Sequence, residues 1–507
     1  MMKIFTVPQV REIDRYTIEN EPIQSTDLME RAAGRVAGWY VRHFNISRKV
    51  VVVAGPGNNG GDALATARLL ADRQYRVDCY LLKFGRLSED CSTNKSRLQK
   101  QDKARLVEIG EGDDLPVITS EDVVVDGIFG SGLSRTAEGF PAAVIRHINE
   151  HAGEVVAIDI PSGLFGEDNS ENDFKSVVRA DYTITFQFPF LSFFFNTSDP
   201  YVGRWRVHDI GLHPGKIRET ETPYQTLEKE EIRSMLPERL RFSHKGTYGH
   251  ALIISGSYGM MGAALLAGES CLRGGAGLVT LHVPKYGYGI VQTGFREGLV
   301  SLDLSDTLFS EPPDLAPYSA IGVGPGIGQK KDTEKALKKL LEKARAVPLV
   351  IDADGLNILS AHPEWHGLLP EGTILTPHPR EFDRLAGESK NSFQRHLKQR
   401  EFARKHGVIV VLKGAYTGIA DPEGGYRFNT TGNPGMASGG TGDVLTGLIT
   451  GLLAQGIKPL HAAMAGVYLH GLAGDLALVD NGEESLIAGD LITHLGAAFK
   501  EVKREPY

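Results

Sequence analysis

The stretch NPGMASGGTGDVLTG, residues 433–447, sets five glycines around one acid, Asp443, just before an apolar run. Gly439, Gly440 and Gly442 let the backbone approach a ligand closely, while Thr441 and Asp443 fall in the first turn of the helix that the run predicts. Free N–H groups at a helix start, with the helix dipole behind them, favour a phosphate. An acid beside a phosphate is repelled by it unless it has a task of its own. Taking a proton from a hydroxyl that attacks the phosphate is such a task, so Asp443 reads as a general base. The plainer alternative is a glycine-rich turn capped by Asp443.

A second set lies near the start. NNGGD, residues 58–62, follows the β-branched run KVVVVAGPG and opens a predicted helix, again presenting N–H groups to an anion. Asp126 and Asp159 end two further apolar runs, in VVVDGIFGSG and VVAIDIPSG, at the edge where parallel sheets bind ligands. Turn capping is the alternative for either acid alone. The chain has no Gly-x-x-x-x-Gly-Lys-Ser/Thr loop, which removes support for P-loop chemistry.

The elements that must hold these groups alternate, strand and helix, twice over. The first series covers KVVVVA, RVDCYLL, DVVVDG and EVVAIDI; the second covers GHALIISGS, GLVTLHVP, YSAIGVGPGIG, VPLVIDADG, GTILTPHP and GVIVVLKGA. Such alternation predicts parallel, doubly wound sheets: an α/β chain with an N-terminal Rossmann-like three-layer sandwich and a C-terminal three-layer α/β/α domain. Residues 200–245 turn polar and irregular with one short helix predicted, which places the domains at 1–223 and 224–507. The most apolar stretch, residues 183–195, is too short for a bilayer and is broken by Pro189; it reads as a buried strand running into a loop. A net charge of −8 argues against general affinity for nucleic acid or an anionic membrane. Cys79, Cys91 and Cys271 are widely spaced, suggesting neither disulfides nor a zinc site, and a reducing cytoplasm is expected.

The segment TGNPGMASGGTGDVLTGLITGLLAQG resembles the signature of the NAD(P)H-hydrate dehydratases of the ribokinase-like superfamily. The likeness extends through GVGPGIG, DADGLN, TPHPREFDRL and VLKGAYT. GPGNNGGD, VDGIFGSGLSR and DIPSG are similar to the NAD(P)H-hydrate epimerase domain, so the whole chain resembles the fused bacterial nicotinamide nucleotide repair family. The resemblance implies substrates that are NADH or NADPH hydrated at C6 of the nicotinamide ring. It implies that the C-terminal domain dehydrates the S hydrate with ADP as phosphoryl donor, giving AMP and phosphate, while the N-terminal domain interconverts R and S hydrates. Magnesium is expected beside ADP, and a homo-oligomer is expected.

Carried over residue by residue, ADP would be held by Lys413, Gly414, Ala415 and Tyr416 and by Gly432, Asn433, Pro434, Gly435, Met436, Ala437, Ser438, Gly439, Gly440, Thr441 and Gly442. Gly326, His378 and Asp443 would contact the hydrate. Backbone N–H groups of Gly440, Thr441 and Gly442 would stabilise the transferring group. Lys413, after an apolar strand, could instead reach solvent, and His378, between two prolines, could be a rigid loop residue. His470 reads as a packed helix histidine. In the N-terminal domain Asn58, Asn59, Gly60, Gly61, Asp62, Gly130, Ser131, Gly132, Leu133, Ser134, Arg135 and Asp159 would contact substrate, Asp159 in a catalytic role. Asn59, Asp126 and Ser162 match the potassium ligands of the family. Ala63 stands where the family has glycine, and its methyl either crowds the backbone or does nothing. Two other readings remain: a ribokinase-like kinase of a small alcohol, which would leave a stable phosphate ester, and an N-terminal binding module without catalysis.

Overall fold

The computed structural model describes residues 2–21 and 23–504. The chain divides into two compact units, one comprising residues 3–222 with 391–393, the other 223–390 and 394 onward together with Met2.

In the first unit the sheet runs, edge to edge, Arg105–Gly110, Val77–Lys83, Val50–Ala54, Val123–Gly127, Glu154–Ile158, Tyr182–Phe186, Arg204–His208. Every adjacent pair is parallel. Central strands buried on both faces need apolar residues at every position, which is why Val50–Ala54 is continuous rather than alternating. Val36, Tyr40, Leu64 and Leu70 cover one face, Ala142, Ile145 and Ile148 the other. Chain order reverses between Val50–Ala54 and Val123–Gly127, so the loops leaving these two strands part and open a crevice at their carboxyl ends.

The second unit repeats the arrangement around His250–Ile254. On one side lie Leu278–Val283 and Leu299–Leu302; on the other lie Ala320–Val323, Leu349–Ile351, Ile374–Leu375 and Ile409–Leu412, all parallel. An antiparallel meander, Gly418–Ala420 and Tyr426–Phe428, then carries Tyr224–Thr226 in parallel at its edge. The reversal here falls between His250–Ile254 and Ala320–Val323. Both sheets thus have the three-layer α/β architecture expected from the alternation.

Two local readings need correction, and one holds. Residues 200–245 hold two strands, Arg204–His208 and Tyr224–Thr226, and the helices Pro214–Glu219 and Lys229–Met235, where one short helix was expected. The N-terminal segment forms a helix, Val7–Asn20, that the sequence reading passed over. Residues 183–195 do begin as the strand Tyr182–Phe186 and continue into the buried turn Leu191–Phe194. Pro459–Asn481 is the described helix long and apolar enough to cross a bilayer, but 61% of that apolar window is buried and it packs on Thr441–Ala454 and Ala488–Lys503, so it is a core helix.

Helix Thr441–Ala454 lies unusually close to Met261–Arg273. A Cβ on Gly447 would stand 2.0 Å from the Ala267 carbonyl oxygen and one on Gly451 2.2 Å from that of Cys271, so bare backbone sets the approach. Ser270 Oγ donates across the seam to the Val444 carbonyl at 2.9 Å. Gly447→Ala should therefore lower the stability of this unit by roughly 1–3 kcal/mol, the scale of overpacking. Gly489→Ala, in open space, should not. Denaturant titration of both variants checks this, and equal midpoints would reject the close-packed seam.

Candidate active sites

The structure sorts the five glycines of the opening motif by task. Gly440 is the N-cap of helix Thr441–Ala454 with φ of 91°, a left-handed conformation that favours glycine. Gly442 turns its bare Cα toward Lys413 Nζ and Asp352, and Gly439 has open space where a side chain would stand. Gly435 passes close to the Glu483 backbone, and Gly447 serves the helix seam. Two residues of helix Pro459–Asn481 fix this loop. Asp475 accepts from Gly432 N at 2.9 Å and from Asn433 Nδ2 at 3.1 Å, while His470 Nε2 bonds the Thr441 carbonyl at 2.9 Å. Burial lowers the His470 pKa to about 4, so a neutral imidazole donates that bond. Pro434–Met436 forms a short 3₁₀ turn, Ala437 is exposed, and Ser438 Oγ is buried without a hydrogen-bond partner among the described residues.

Asp443 sits in the first helical turn. Burial first, then the neighbouring Asp352, raises its pKa to about 6, and Lys413 opposes the shift. Asp352, 1% exposed, lies at the end of strand Leu349–Ile351. Its carboxylate takes Lys413 Nζ at 2.8 Å, Thr446 Oγ1 at 2.7 Å and Ala353 N at 2.8 Å. Lys413 also comes within 4.0 Å of Glu381, so it does not extend into solvent. Gly414 and Ala415 after it are exposed and Tyr416 is half-buried.

His378 is the N-cap of helix Pro379–Ala386. Its Nδ1 accepts from Arg380 N at 3.1 Å and Glu381 N at 3.2 Å, and Glu381 returns a bond to His378 N at 2.8 Å. Burial lowers its pKa, and with Nδ1 accepting, the proton resides on Nε2. Gly326, φ 66°, lies in the loop after Ala320–Val323, its carbonyl taking Ser257 Oγ at 2.8 Å. A cavity of about 870 Å³ lined by Leu452, Gln455 and Lys500 lies elsewhere in this unit. Leu452 is nine residues along the helix from Asp443, about 14 Å at 1.5 Å per residue, so that cavity is not where these groups converge.

In the first unit a cavity of about 700 Å³ occupies the crevice at the reversal. Asn58, Asn59, Asp62, Gly130, Ser131, Gly132, Leu133 and Asp159 line it. Gly60 and Gly61 do not. A Cβ on Gly60 would fall 1.8 Å from the Gly55 carbonyl oxygen and one on Gly61 2.7 Å from Met29 Sδ, so these two glycines pack the helix down. Ser134 and Arg135 are exposed beyond the lining. Ala63 is fully buried, and its methyl occupies the space left by Gly127, whose own Cβ would meet it at 2.5 Å.

Asn59, Asp126 and Ser162 converge on the Phe129 peptide. Asn59 Nδ2 donates to the Phe129 carbonyl at 2.8 Å; Ser162 Oγ donates to Asp126 at 2.6 Å and accepts from Phe129 N at 2.8 Å. Asp126 also takes Ser162 N at 2.8 Å. Burial raises its pKa to about 6 against these bonds, and no cationic side chain is among its partners in the described residues. Hard oxygens and a buried, unneutralised carboxylate suit an alkali cation.

Asp159 has φ of 67°, strained for a residue with a side chain, and is held by Ser131, Phe186 and Thr185; burial raises its pKa to about 6. The cavity also contains groups the sequence reading missed: Arg11 and Asp14 from helix Val7–Asn20, Arg86, and Asp90, which Ser25 Oγ bonds at 2.5 Å. Arg11 reaches over the loop, where a side chain on Gly132 would strike its guanidinium. The signal available was the helical spacing of Val10, Asp14 and Ile18, an acid within an apolar row.

Residues 25–191 match the family model described as YjeF-related protein N-terminus, and residues 251–495 the model described as NAD(P)H-hydrate dehydratase. A Moorella thermoacetica protein named bifunctional NAD(P)H-hydrate repair enzyme is 37% identical over 99% of this chain and 98% of its own. Its namesake from Coxiella burnetii is 35% identical over 98% and 99%. A solved structure of the ADP/ATP-dependent NAD(P)H-hydrate dehydratase from Bacillus subtilis, co-crystallised with ATP and Mg²⁺, is 32% identical; the match spans 55% of this chain and 98% of that one, with a TM-score of 0.48.

The Asp352–Lys413 pair makes its own prediction. Lys413→Met leaves a buried carboxylate without its cation and should cost about 3 kcal/mol or more; adding Asp352→Asn should restore most of that. A denaturant-unfolding cycle over the two singles and the double checks it, and additive losses would show that the two groups are not coupled.

Proposed function

The chain belongs to the bifunctional NAD(P)H-hydrate repair enzymes, and on that premise we propose how its residues divide the work. The second unit dehydrates the S hydrate of NADH or NADPH, with ADP as donor and AMP and phosphate as products. The first interconverts R and S hydrates so that both are repaired. The full-length relatives are named as repair enzymes with two functions, which weighs against a small-alcohol kinase and against an inert N-terminal module.

Hydroxide is a poor leaving group. Phosphorylating the 6-hydroxyl and then expelling phosphate replaces a hard elimination with an easy one. Asp443 takes the hydroxyl proton, while the N–H groups of Gly440, Thr441 and Gly442 and the Lys413 ammonium meet the charge of the transferring group. The loop from Gly432 to Gly442 and the turn from Lys413 to Tyr416 hold ADP, with magnesium beside its phosphates; Gly326 and His378 hold the hydrate, His378 through its Nε2 proton. The observation that carries this reading is Asp443 in the first turn of a glycine-capped helix, its pKa raised to about 6, with Lys413 held nearby at 2.8 Å from Asp352. In the first unit Asn59, Asp126 and Ser162 hold potassium, which would fix the loop after Val123–Gly127 against the substrate, and Asp159 is catalytic. Three free, buried cysteines are compatible with the cytoplasm as the place of work.

Asp443 serves as a base only when ionised, so dehydration should rise with pH and level off above about 6. Asp443→Asn should lose on the order of a hundredfold or more of ADP-dependent NAD(P)H production, the usual worth of a general base, and the pH limb with it. Exchange of R and S hydrates on the same preparation should continue. Near-normal dehydration would reject Asp443 as base, and loss of both activities would reject two independent sites.

Asp126→Ala should weaken potassium activation and slow hydrate exchange, while purified S hydrate is still dehydrated. Unchanged exchange across a potassium titration would remove this triad from the ion site.

A further inference from the structure

We propose that Asp14 is a second catalytic carboxyl of the epimerase cavity, working with Asp159 as a proton-exchanging pair. The proposal rests on the epimerase reading of the first unit. Helix Val7–Asn20 presents Val10, Asp14 and Ile18, each four residues from the next, to the cavity wall as one row. A carboxyl in that row interrupts an otherwise apolar stripe at a cost in desolvation. Asp14 makes no hydrogen bond or ion pair with another described residue, so nothing in the fold offsets the cost. The contrast with its neighbours is informative: Asp90 is bonded to Ser25, and Asp159 is held by Ser131, Phe186 and Thr185.

The cavity's ionisable groups are Asp14, Asp62, Asp90, Asp159, Arg11 and Arg86. Burial, then the Asp159 charge, raises the Asp14 pKa to about 7, while Asp159 lies at about 6. Asp62 is pushed well above the carboxylate range by burial and by Asp159, Asp14 and Asp90. Near neutrality the pair Asp14/Asp159 therefore carries one proton between two carboxyls, the state that acid and base catalysis in one site require.

The hydrate carries its hydroxyl on C6, next to the ring nitrogen. The protonated carboxyl gives its proton to the C6 oxygen, the C6–O bond breaks, and water leaves as the nitrogen lone pair forms a C6=N iminium. A solvent water adds to the other face of C6, and the ionised carboxyl takes its extra proton. One water departs and one adds, with no oxidation or reduction, and the two carboxyls finish with their roles exchanged. Inverting glycosidases turn over a related oxocarbenium-like centre with one carboxyl as acid and a second as base toward water.

The test follows R/S exchange by the full chain in H₂¹⁸O between pH 5 and 9, for the native protein, Asp14→Asn and Asp14→Leu. The native protein should show a bell-shaped profile centred between about 6 and 7, with one solvent oxygen in each inverted hydrate. Both variants should lose on the order of a hundredfold or more of exchange and the limb that Asp14 supplies. They should melt no lower than the native chain, because each removes a partly buried acid that has no partner among the described residues, and they should dehydrate purified S hydrate at the native rate. Exchange within threefold of native in Asp14→Asn would overturn the role of Asp14, and inverted product lacking the label would overturn the water-exchange step. A native chain that does not exchange the hydrates at all would overturn the epimerase reading itself, a result recognisable before any variant is made.

Discussion

A parallel sheet whose strand order reverses has to leave a gap at the carboxyl ends of two neighbouring strands, because the two following connections depart to opposite faces. Both units are built around such a gap, beside Val50–Ala54 in one and His250–Ile254 in the other. Backbone at these ends has spent its hydrogen bonds on the ladder up to the last residue and then has N–H groups to offer. The chemistry-bearing residues sit there because position in the sheet leaves few alternatives: Asp126 and Asp159 end strands, Lys413 follows Ile409–Leu412, and Asp352 follows Leu349–Ile351.

Close approach is the second constraint, and it explains why glycine density was informative but ambiguous. In sequence Gly60 and Gly61 look like phosphate-binding backbone. In the fold they let helix Asn58–Asp72 settle against Gly55 and Met29, and the ligand wall is left to Asn58, Asn59 and Asp62. Likewise Gly447 belongs to a helix seam although it closes the motif that contains Asp443. A glycine in sequence says that something approaches the backbone; whether that is a ligand or a neighbouring carbonyl depends on the side of the helix, which a run of two or three adjacent glycines does not encode. Ala63 shows the converse: its methyl is tolerated because Gly127, 64 positions later, gives way opposite it.

The parallel core strands and the glycine-capped acid were legible because continuous apolar runs and turn residues mark them locally. Arg204–His208 was not, since RWRVH at a sheet edge alternates charge with apolar residues as an exposed connection does. The anchoring of the glycine-rich loop by Asp475 and His470 was also out of reach, because both lie on an apolar helix about 30 or 40 residues downstream and act through hydrogen bonds to the loop. Asp352 lay inside a quoted motif, DADGLN, without a role until its bonds to Lys413 and Thr446 joined three segments far apart in sequence. Asp14 was missed for a physical reason too: one acid on the inward face of a short charged helix looks like a solvated residue until the cavity wall is known.

The two sites handle buried acid charge in different ways, and the difference follows their chemistry. In the reaction proposed for the second unit, Asp443 loses its proton in a place that would also receive phosphate. An arriving anion raises its pKa further, which makes it a stronger base but a less populated one. Lys413 limits that effect, and Asp352 holds Lys413 in place. Thr446, on the same helix as Asp443, ties this counter-charge to the base, so displacement of the helix start would weaken both together. Among the described residues of the first unit, no lysine lines the cavity with its acids. Burial raises Asp14, Asp62 and Asp159, and Asp159 in turn raises Asp14 and Asp62, which favours protons in the cavity. A site that moves phosphate needs a neutralised base, whereas a site that only exchanges water needs a proton kept close at hand.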